Sequence, residues 1–355
     1  MNHLDMIRDF SNANGVSGFE DEVVLVARKY ADPTFEVSKD SLLNFYIRRP
    51  ENNGKRPVIQ LDGHSDEVGF MVQAIRPNGT LQFITIGGWV NSNIPAHKVR
   101  VKTVNGDYIP GIVAAKPPHF MSVSEKGRTP EVSEMAIDIG ASSLREAHDE
   151  FGVRMAAPVV PDVAFTYDEK HDLMIGKAFD CRLGCAAILA TMDALKGEDL
   201  GIDIVGAMSV QEEVGCRGSR VTANTVKPDV AIVFEGCPAD DTVQPDYLIQ
   251  TAIHKGPMLR HIDTSMITNP RFQKYALDLA RELNIPVQES VRTGGSTNGA
   301  SIHLSGEGVP VIVIGLPVRY IHSHYGIAAY EDFENAVKLA VEIIRRLNKD
   351  IIGSF

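Results

Sequence analysis

Four short runs of apolar residues along the chain predict strands that are buried on both faces. Each run is rich in Val and Ile, and each ends in Gly or in charged residues. They cover residues 57–61, 202–210, 230–234 and 309–314. Runs of this length without polar alternation are typical of the inner strands of a sheet that helices cover on both sides.

Helical patterns separate these strands. Apolar residues recur at helical spacing, or Ala and Leu dominate, in residues 20–30, 184–195, 271–283 and 332–347. Arg345 and Arg346 close the last of these segments, where cations suit the helix dipole. Strands that alternate with helices predict an α/β fold with a mostly parallel central sheet flanked by helices.

Residues 72–161 follow a different pattern. Asn-Gly pairs at positions 78–79 and 105–106 separate alternating runs, which is the strongest short signal for a hairpin, and helical periodicity is poor. We interpret this stretch as a β-rich domain. It is inserted into a discontinuous α/β domain formed by residues 1–71 and 162–355.

Composition excludes some classes of partner. The chain has 355 residues and a formal net charge of −11, which disfavours nucleic acid or an anionic membrane as a partner. The first residues lack the basic and apolar regions of a signal peptide, and no apolar stretch approaches the ~18 residues of a membrane span. We therefore expect a cytoplasmic protein. Its four cysteines are then expected to be buried and reduced rather than a structural zinc site; they are Cys181, Cys185, Cys216 and Cys237.

Residues able to bind a metal follow all four predicted strands. The carboxyl ends of parallel strands meet at one edge of a sheet, which is where such folds bind ligands. Asp180, just before a predicted helix, can reach the same edge. The candidates in chain order are His64, Asp180, Glu212, Glu213, Glu235 and His322.

Two histidines and three carboxylates suit a pair of divalent ions such as zinc, cobalt or manganese. One carboxylate can bridge the ions, and a hydroxide held between them can attack a carbonyl carbon. Either Glu212 or Glu213 is then left as a general base, and the residues alone do not say which. Asp66 is placed to hold the other ring nitrogen of His64.

Several spaced motifs resemble the glutamyl aminopeptidase and tetrahedral (TET) aminopeptidase family of co-catalytic metallopeptidases. The resemblance runs from the N-terminus to the last helix and includes the insert. The segments that carry it are GVSGFEDEV (15–23), LDGHSDEVGFMV (61–72), AFDCRLGCAA (178–187), QEEVG (211–215), VFEGCPADD (233–241), KGP (255–257) and RYIHS (319–323).

This resemblance implies a role for each candidate. Asp180 bridges two metal ions, and Glu212 is the general base while Asp66 orients His64. The remaining ligands that it implies are His64, Glu213, Glu235 and His322. The implied reaction removes N-terminal residues from short peptides. The insert is implied to mediate dimerisation, with the dimers assembling into dodecamers.

Three positions depart from the family pattern. Glu235 stands where Asp is usual, Cys181 where Asp or Asn is common, and Asn298 where many members carry Asp. These departures bear on metal preference and substrate placement.

Three alternatives to an aminopeptidase stay open. A related amidase or carboxypeptidase shares the two-metal core. A glycosidase uses a carboxylate pair but gives the two histidines no role. A metal-dependent binding protein gives Glu212 no role. Neither the side-chain preference nor the physiological metal follows from the sequence.

Overall fold

The structure, a computed structural model, describes residues 2–355. Within these residues the strands are, in chain order, β1 (Glu36–Lys39), β2 (Phe45–Arg48), β3 (Val58–His64), β4 (Gly69–Ile75), β5 (Leu81–Ile86), β6 (Lys98–Lys102), β7 (Tyr108–Ala114), β8 (Ala136–Asp138), β9 (Pro158–Pro161), β10 (Thr166–Asp168), β11 (Leu173–Gly176), β12 (Asp203–Ser209), β13 (Val230–Pro238), β14 (Met258–Ile262), β15 (Gln288–Val291), β16 (Val311–Val318) and β17 (Gly326–Ala329).

The helices in the same residues are α1 (His3–Asn12), α2 (Asp21–Tyr30), α3 (Leu144–Asp149), α4 (Phe179–Ala194), α5 (Arg217–Val226), α6 (Pro270–Glu282), α7 (Gly299–Ile302), α8 (Tyr330–Arg346) and α9 (Lys349–Ile352). Local sequence explains several of their ends. Asn269 accepts hydrogen bonds from the backbone at the start of α6, and Pro270 occupies its first position. None of the helices in residues 2–355 has both the length and the apolar character needed to cross a membrane.

An eight-stranded sheet forms the centre of the molecule, in the order β1-β2-β12-β3-β13-β16-β14-β15. The four inner strands β12, β3, β13 and β16 are parallel neighbours. β2 joins β12, and β14 joins β16, in antiparallel pairs. The α/β fold with helices around a central sheet is confirmed, and the parallel pairing is concentrated at its centre.

Helices cover the two faces of this sheet through alternate side chains of the same strands. On one face Ile232 and Phe234 of β13 belong to the main core, with α1, α2, α4 and α8. On the other face Ala231 and Val233 pack with residues of α5 and α7. Burial on both faces accounts for the continuous apolar runs from which the inner strands were predicted.

A closed barrel forms a second, separate β structure in the order β4-β5-β8-β7-β6-β9. Both Asn-Gly pairs lie in the predicted turns, between β4 and β5 and between β6 and β7. The barrel has its own core, in which Phe70, Phe83 and Val99 are fully or almost fully buried. A small sheet of β10, β11 and β17 lies elsewhere in the chain.

Candidate metal centre

Strand register brings the polar strand ends to one edge of the central sheet. Ser209 at the end of β12 lies opposite His64 at the end of β3. Glu235 lies in β13 opposite Gly315 of β16, and His322 follows β16 by a few residues. These pairings place side chains from four strand ends at the carboxyl edge, as the sequence predicted.

Asp180 reaches this edge from the start of α4. The backbone there is not helical, with φ −85° and ψ 105° at Asp180. Gly236 of β13 permits the approach, because a Cβ atom at that position would lie 2.5 Å from the Asp180 Cα atom. A side chain at position 236 would therefore displace Asp180 from the sheet edge.

Five side chains meet here, and we call them the ligand cluster; they are His64, Asp180, Glu213, Glu235 and His322. Two subsets each bring ligand atoms within 4.8 Å of one another, and Asp180 belongs to both. The first also contains His64, Glu235 and Cys181, and the second contains Glu213 and His322. A carboxylate shared between two sets of ligands is the arrangement that a bridging residue requires.

Distances within the ligand cluster follow the same division. One oxygen of Asp180, Oδ1, lies 2.9 Å from His64 Nε2, and the other, Oδ2, lies 3.4 Å from His322 Nε2. Glu213 Oε2 is 3.3 Å from His322 Nε2, and Glu235 Oε1 is 3.9 Å from His64 Nε2. Each histidine thus faces a different oxygen of Asp180 and a different glutamate.

The carboxylates of the ligand cluster are crowded in a buried place. Burial and the charge of Asp180 raise the pKa values of Glu213 and Glu235 well above their usual range. Burial opposes the imidazolium form of His64, but contact with Asp180 and Asp66 outweighs it and raises the pKa of His64. Glu235 Oε2 is buried without a hydrogen-bond partner. Carboxylates crowded in this way must bind protons or a cation.

Glu212 lies beside the ligand cluster but outside both subsets. Its Oε2 is 3.9 Å from His64 Nε2, and its Oε1 accepts a hydrogen bond from Cys216 Sγ at 3.2 Å. Burial and the negative charge of Asp180 raise the pKa of Glu212. Both glutamates line the same cavity. They differ in the histidine they approach, since Glu213 lies beside His322 and Glu212 lies nearer His64.

Asp66 links three parts of the site. Its backbone carbonyl is 3.2 Å from His64 Nδ1 and its carboxylate 3.5 Å, so both suit a tautomer with the proton on Nδ1. The carboxylate also accepts hydrogen bonds from the backbone N–H groups of Glu212 and Glu213, at 2.9 and 3.1 Å. Ser17 Oγ donates a further bond at 2.6 Å. Orienting His64 is therefore one of several contacts that Asp66 makes.

A second group of buried charges lies next to the ligand cluster, and the sequence analysis did not find it. Glu67 accepts hydrogen bonds from Lys177 Nζ at 2.6 and 2.8 Å, and Arg182 Nη2 lies 3.2 Å away. We call Glu67, Lys177 and Arg182 the buried triad. Its members are almost completely buried. Glu67 directly follows Asp66, but its partners are more than 100 residues away, so spacing gave no signal.

A cavity of about 610 Å³ opens beside the ligand cluster. One wall of it is lined by a glycine-rich stretch, residues 293–296, together with Arg260 and Arg292. Arg260 Nη1 pairs with Asp263 at 3.0 Å, and Arg292 Nη1 with Asp240 at 3.1 Å. The cavity thus has an acidic side at the ligand cluster and a wall that carries two guanidinium groups.

All four cysteines are buried and free. Cys181 lies within reach of the first ligand subset, but its Sγ donates to the Phe234 carbonyl at 3.2 Å, and burial raises the pKa of its thiol. Cys185 Sγ likewise donates to the His64 carbonyl at 3.1 Å. Both members of the C-x3-C pair thus contact backbone carbonyls rather than each other.

The chain is similar to known proteins along almost its whole length. The model of the M42 glutamyl aminopeptidase family matches residues 44–339. The chain is 30% identical to the glutamyl aminopeptidase of Lactococcus lactis subsp. cremoris over 99% of both chains, and 30% identical to the lysyl aminopeptidase of Pyrococcus furiosus over 97% of both. A crystal structure of a TET aminopeptidase from the marine sediment archaeon Thaumarchaeota archaeon SCGC AB-539-E09 superposes with a TM-score of 0.94. It has 37% identity and covers 100% of this chain and 99% of that one. The chain belongs to the M42 glutamyl aminopeptidase family.

Proposed function

We propose that this protein is an aminopeptidase that works with two divalent metal ions held by the ligand cluster. The observation that carries the proposal is the position of Asp180, which belongs to both ligand subsets. His64 and Glu235 complete one metal site, and Glu213 and His322 complete the other. Zinc is our first candidate, with cobalt or manganese as alternatives.

The donor set supports metal binding on chemical grounds. Imidazole nitrogens and carboxylate oxygens are ligands that these ions share. The unpartnered Oε2 of Glu235 leaves an oxygen free to bind a metal ion, and a bound cation would relieve the crowding of carboxylates that raises the pKa of Glu213. When bound, two such ions would polarise a scissile carbonyl group and lower the pKa of a water molecule.

Glu212 is the proposed general base. It lies at the cavity, next to the ligand cluster, with its Oε2 3.9 Å from His64 Nε2. A raised pKa suits a carboxylate that takes a proton from the attacking water and then delivers it to the leaving amine. Asp66 supports this role because its carboxylate holds the backbone N–H of Glu212.

Substrate choice separates the proposal from its nearest alternatives. An aminopeptidase requires a free N-terminal amine, whereas an amidase or a carboxypeptidase with the same core does not. The test compares hydrolysis of aminoacyl-anilides and short peptides with hydrolysis of their N-acetylated forms. We expect the acetylated forms to be rejected, and cleavage of both at similar rates would overturn the aminopeptidase assignment.

Chelation separates the proposal from a glycosidase, which needs no metal. Apoprotein made with a chelator is refilled with zinc, cobalt or manganese and assayed on acidic, basic and apolar aminoacyl-anilides. We expect activity to disappear with the metal and to return on refilling. The same screen identifies the preferred side chain and the most effective ion.

We further propose that the barrel mediates dimerisation and that the dimers assemble into a dodecamer. Phe120 and Val123, between β7 and β8, are 74% and 90% exposed, which is unusual for large apolar residues that have no partner. Light scattering during size-exclusion chromatography measures the assembly. Phe120→Asp combined with Val123→Asp should reduce its mass if this surface joins subunits.

The reduced state of the four cysteines fits a cytoplasmic location.

A further inference from the structure

Asp62 is a buried carboxylate that the proposed mechanism does not use. It lies in β3, two positions before His64, and is completely buried. Its Oδ2 accepts hydrogen bonds from Gln60 Nε2 at 2.9 Å, Ser209 Oγ at 2.7 Å and Thr222 Oγ1 at 3.3 Å. Its Oδ1 accepts one from Asn298 Nδ2 at 2.7 Å. The two oxygens thus have separate sets of donors.

Asn298 lies two positions after the glycine-rich wall, residues 293–296, and is itself completely buried. The wall and the adjoining Thr297 are also tied to the chain that follows β12 and to a neighbouring loop. Cys216 Sγ donates to the Thr297 carbonyl at 3.5 Å, and Ser296 Oγ donates to Ser265 Oγ at 2.9 Å. Among the described residues, the bond from Asn298 to Asp62 is the one side-chain hydrogen bond that connects this region to β3.

We propose that Asp62 and Asn298 are a positioning pair that holds the glycine-rich wall at a fixed place in the cavity that opens beside the ligand cluster. The pair touches neither the reacting atoms nor the metals. It acts on substrate through the wall, and its kinetic effect rests on the proposed function. A buried amide–carboxylate bond suits this role because a glycine-rich segment has little rigidity of its own.

The direction of the bond matters. Asn298→Asp places a second carboxyl group against Asp62, and two such groups in one buried site repel each other or must bind a proton. Asp62→Asn leaves two amides that pair only if Asn298 turns its Oδ1, which has no hydrogen-bond partner, toward the new NH₂ group. Each single substitution therefore disturbs the bond between the wall and β3, and Asn298→Asp disturbs it more.

The double substitution restores it. An amide at position 62 can offer its oxygen to Gln60, Ser209 and Thr222 and its NH₂ group to a carboxylate at position 298. All four hydrogen bonds can form, only the bond between positions 62 and 298 reverses its direction, and the single buried charge moves to position 298. A loss in both single variants that the double variant recovers is specific to this pair.

The experiment compares wild type, Asn298→Asp, Asp62→Asn and the double variant, all loaded with zinc. Hydrogen exchange of peptides covering residues 293–297 reports on the wall, and KM and kcat report on substrate placement. We expect faster exchange and a kcat/KM lowered about tenfold in Asn298→Asp, mainly through KM, and a smaller change of the same kind in Asp62→Asn. The double variant should return to within about threefold of wild type in both measurements. Asn284→Asp, at an exposed position, adds the same charge elsewhere and should change neither.

Two results would overturn the pair: wild-type exchange and KM in Asn298→Asp, or a double variant no better than the single ones. If Asn298→Asp does not fold, Asn298→Ala breaks the bond without adding charge. Unchanged exchange of residues 293–297 in that variant also overturns the proposal. A wild-type protein that hydrolyses no aminoacyl substrate would contradict the proposed function, while the exchange measurements would still decide the role of the pair.

Discussion

The ligand cluster and the buried triad lie side by side at one edge of the sheet, and their charges are balanced in opposite ways. In the buried triad, Glu67 has two cationic partners from the chain, Lys177 and Arg182. In the ligand cluster, three carboxylates face two histidines, and burial with mutual repulsion raises the pKa values of Glu213 and Glu235. Asp66, which contacts His64 of the ligand cluster, and Glu67, which belongs to the buried triad, are adjacent in the sequence.

This difference separates buried charge that the chain neutralises from buried charge that it does not. A carboxylate with its own cations is a structural element, and its loss is expected to appear in stability. A group of carboxylates without sufficient cations is costly unless something else binds there, and its loss is expected to appear in metal content and catalysis. The following predictions test that separation, beginning with the largest expected effect.

Asp180→Ala should have the largest effect because it removes the carboxylate common to both ligand subsets. We expect metal content to fall at both sites, and kcat/KM to fall by more than the ~10⁴-fold upper limit for loss of a general base. Elemental analysis of the purified protein and initial-rate kinetics measure the two quantities. Asp246→Ala, at an exposed position, is the matched control and should keep both. Full zinc content in Asp180→Ala would contradict a shared ligand.

Glu212→Gln should separate catalysis from metal binding. The substitution keeps the size of the side chain but removes the group that accepts a proton, so we expect kcat to fall about 10²–10⁴-fold. Metal content should match that of wild type because Glu212 lies outside both ligand subsets. A variant that loses metal along with activity would instead make Glu212 a ligand.

Lys177→Met should affect the buried triad and spare the ligand cluster. Burial lowers the pKa of Lys177 to about 8 despite the opposing charge of Glu67, which shows how little water reaches it. Removing one partner of a buried ion pair is expected to lower the free energy of unfolding by about 3–5 kcal/mol. Denaturant unfolding measures this loss against Lys55→Met, an exposed control. Folded Lys177→Met should retain its metals, and their loss would show that the two groups are not independent.

Glu235→Asp should have the smallest effect. The substitution shortens the side chain by one methylene and retains the carboxylate, so both metals should remain bound. We expect metal affinity at one site to weaken by about tenfold or less, the lower limit for disturbing a metal-site partner. Competitive chelator titration measures it. A loss as large as that of Asp180→Ala would mean that the longer arm of Glu235 is essential in this chain.

The inner strands and the barrel hairpins were predictable from sequence for local reasons. Burial on both faces leaves a continuous apolar run, and an Asn-Gly pair suits a tight turn wherever it occurs. The antiparallel outer strands β2 and β14 were missed because they are short and contain polar residues. Arg260, for example, lies in β14 but is recognisable as a cavity residue only in the folded chain.

The ligand cluster was predictable because parallel strands deliver their ends to one edge, whatever their distance in sequence. Which of Glu212 and Glu213 is the proposed base and which the proposed ligand was assigned from the family resemblance. Two adjacent residues in a loop give no sign in the sequence of where each side chain points. Other pairs could not be predicted in this way, for example Asp62 with Asn298 or Glu67 with Lys177. Their contacts depend on how segments that are remote in sequence pack together. The carboxylate of Asp62, which accepts from Asn298, explains how an amide fits at position 298.

The central claim is that Asp180 is shared by two metal ions. The most direct test is a crystal structure of the zinc-refilled protein with an anomalous difference map recorded at the zinc edge. We predict two peaks about 3.5–4 Å apart, each next to a different oxygen of Asp180. One peak would show His64 and Glu235 beside it, and the other Glu213 and His322. A single peak, or two peaks that do not both contact Asp180, would contradict the claim.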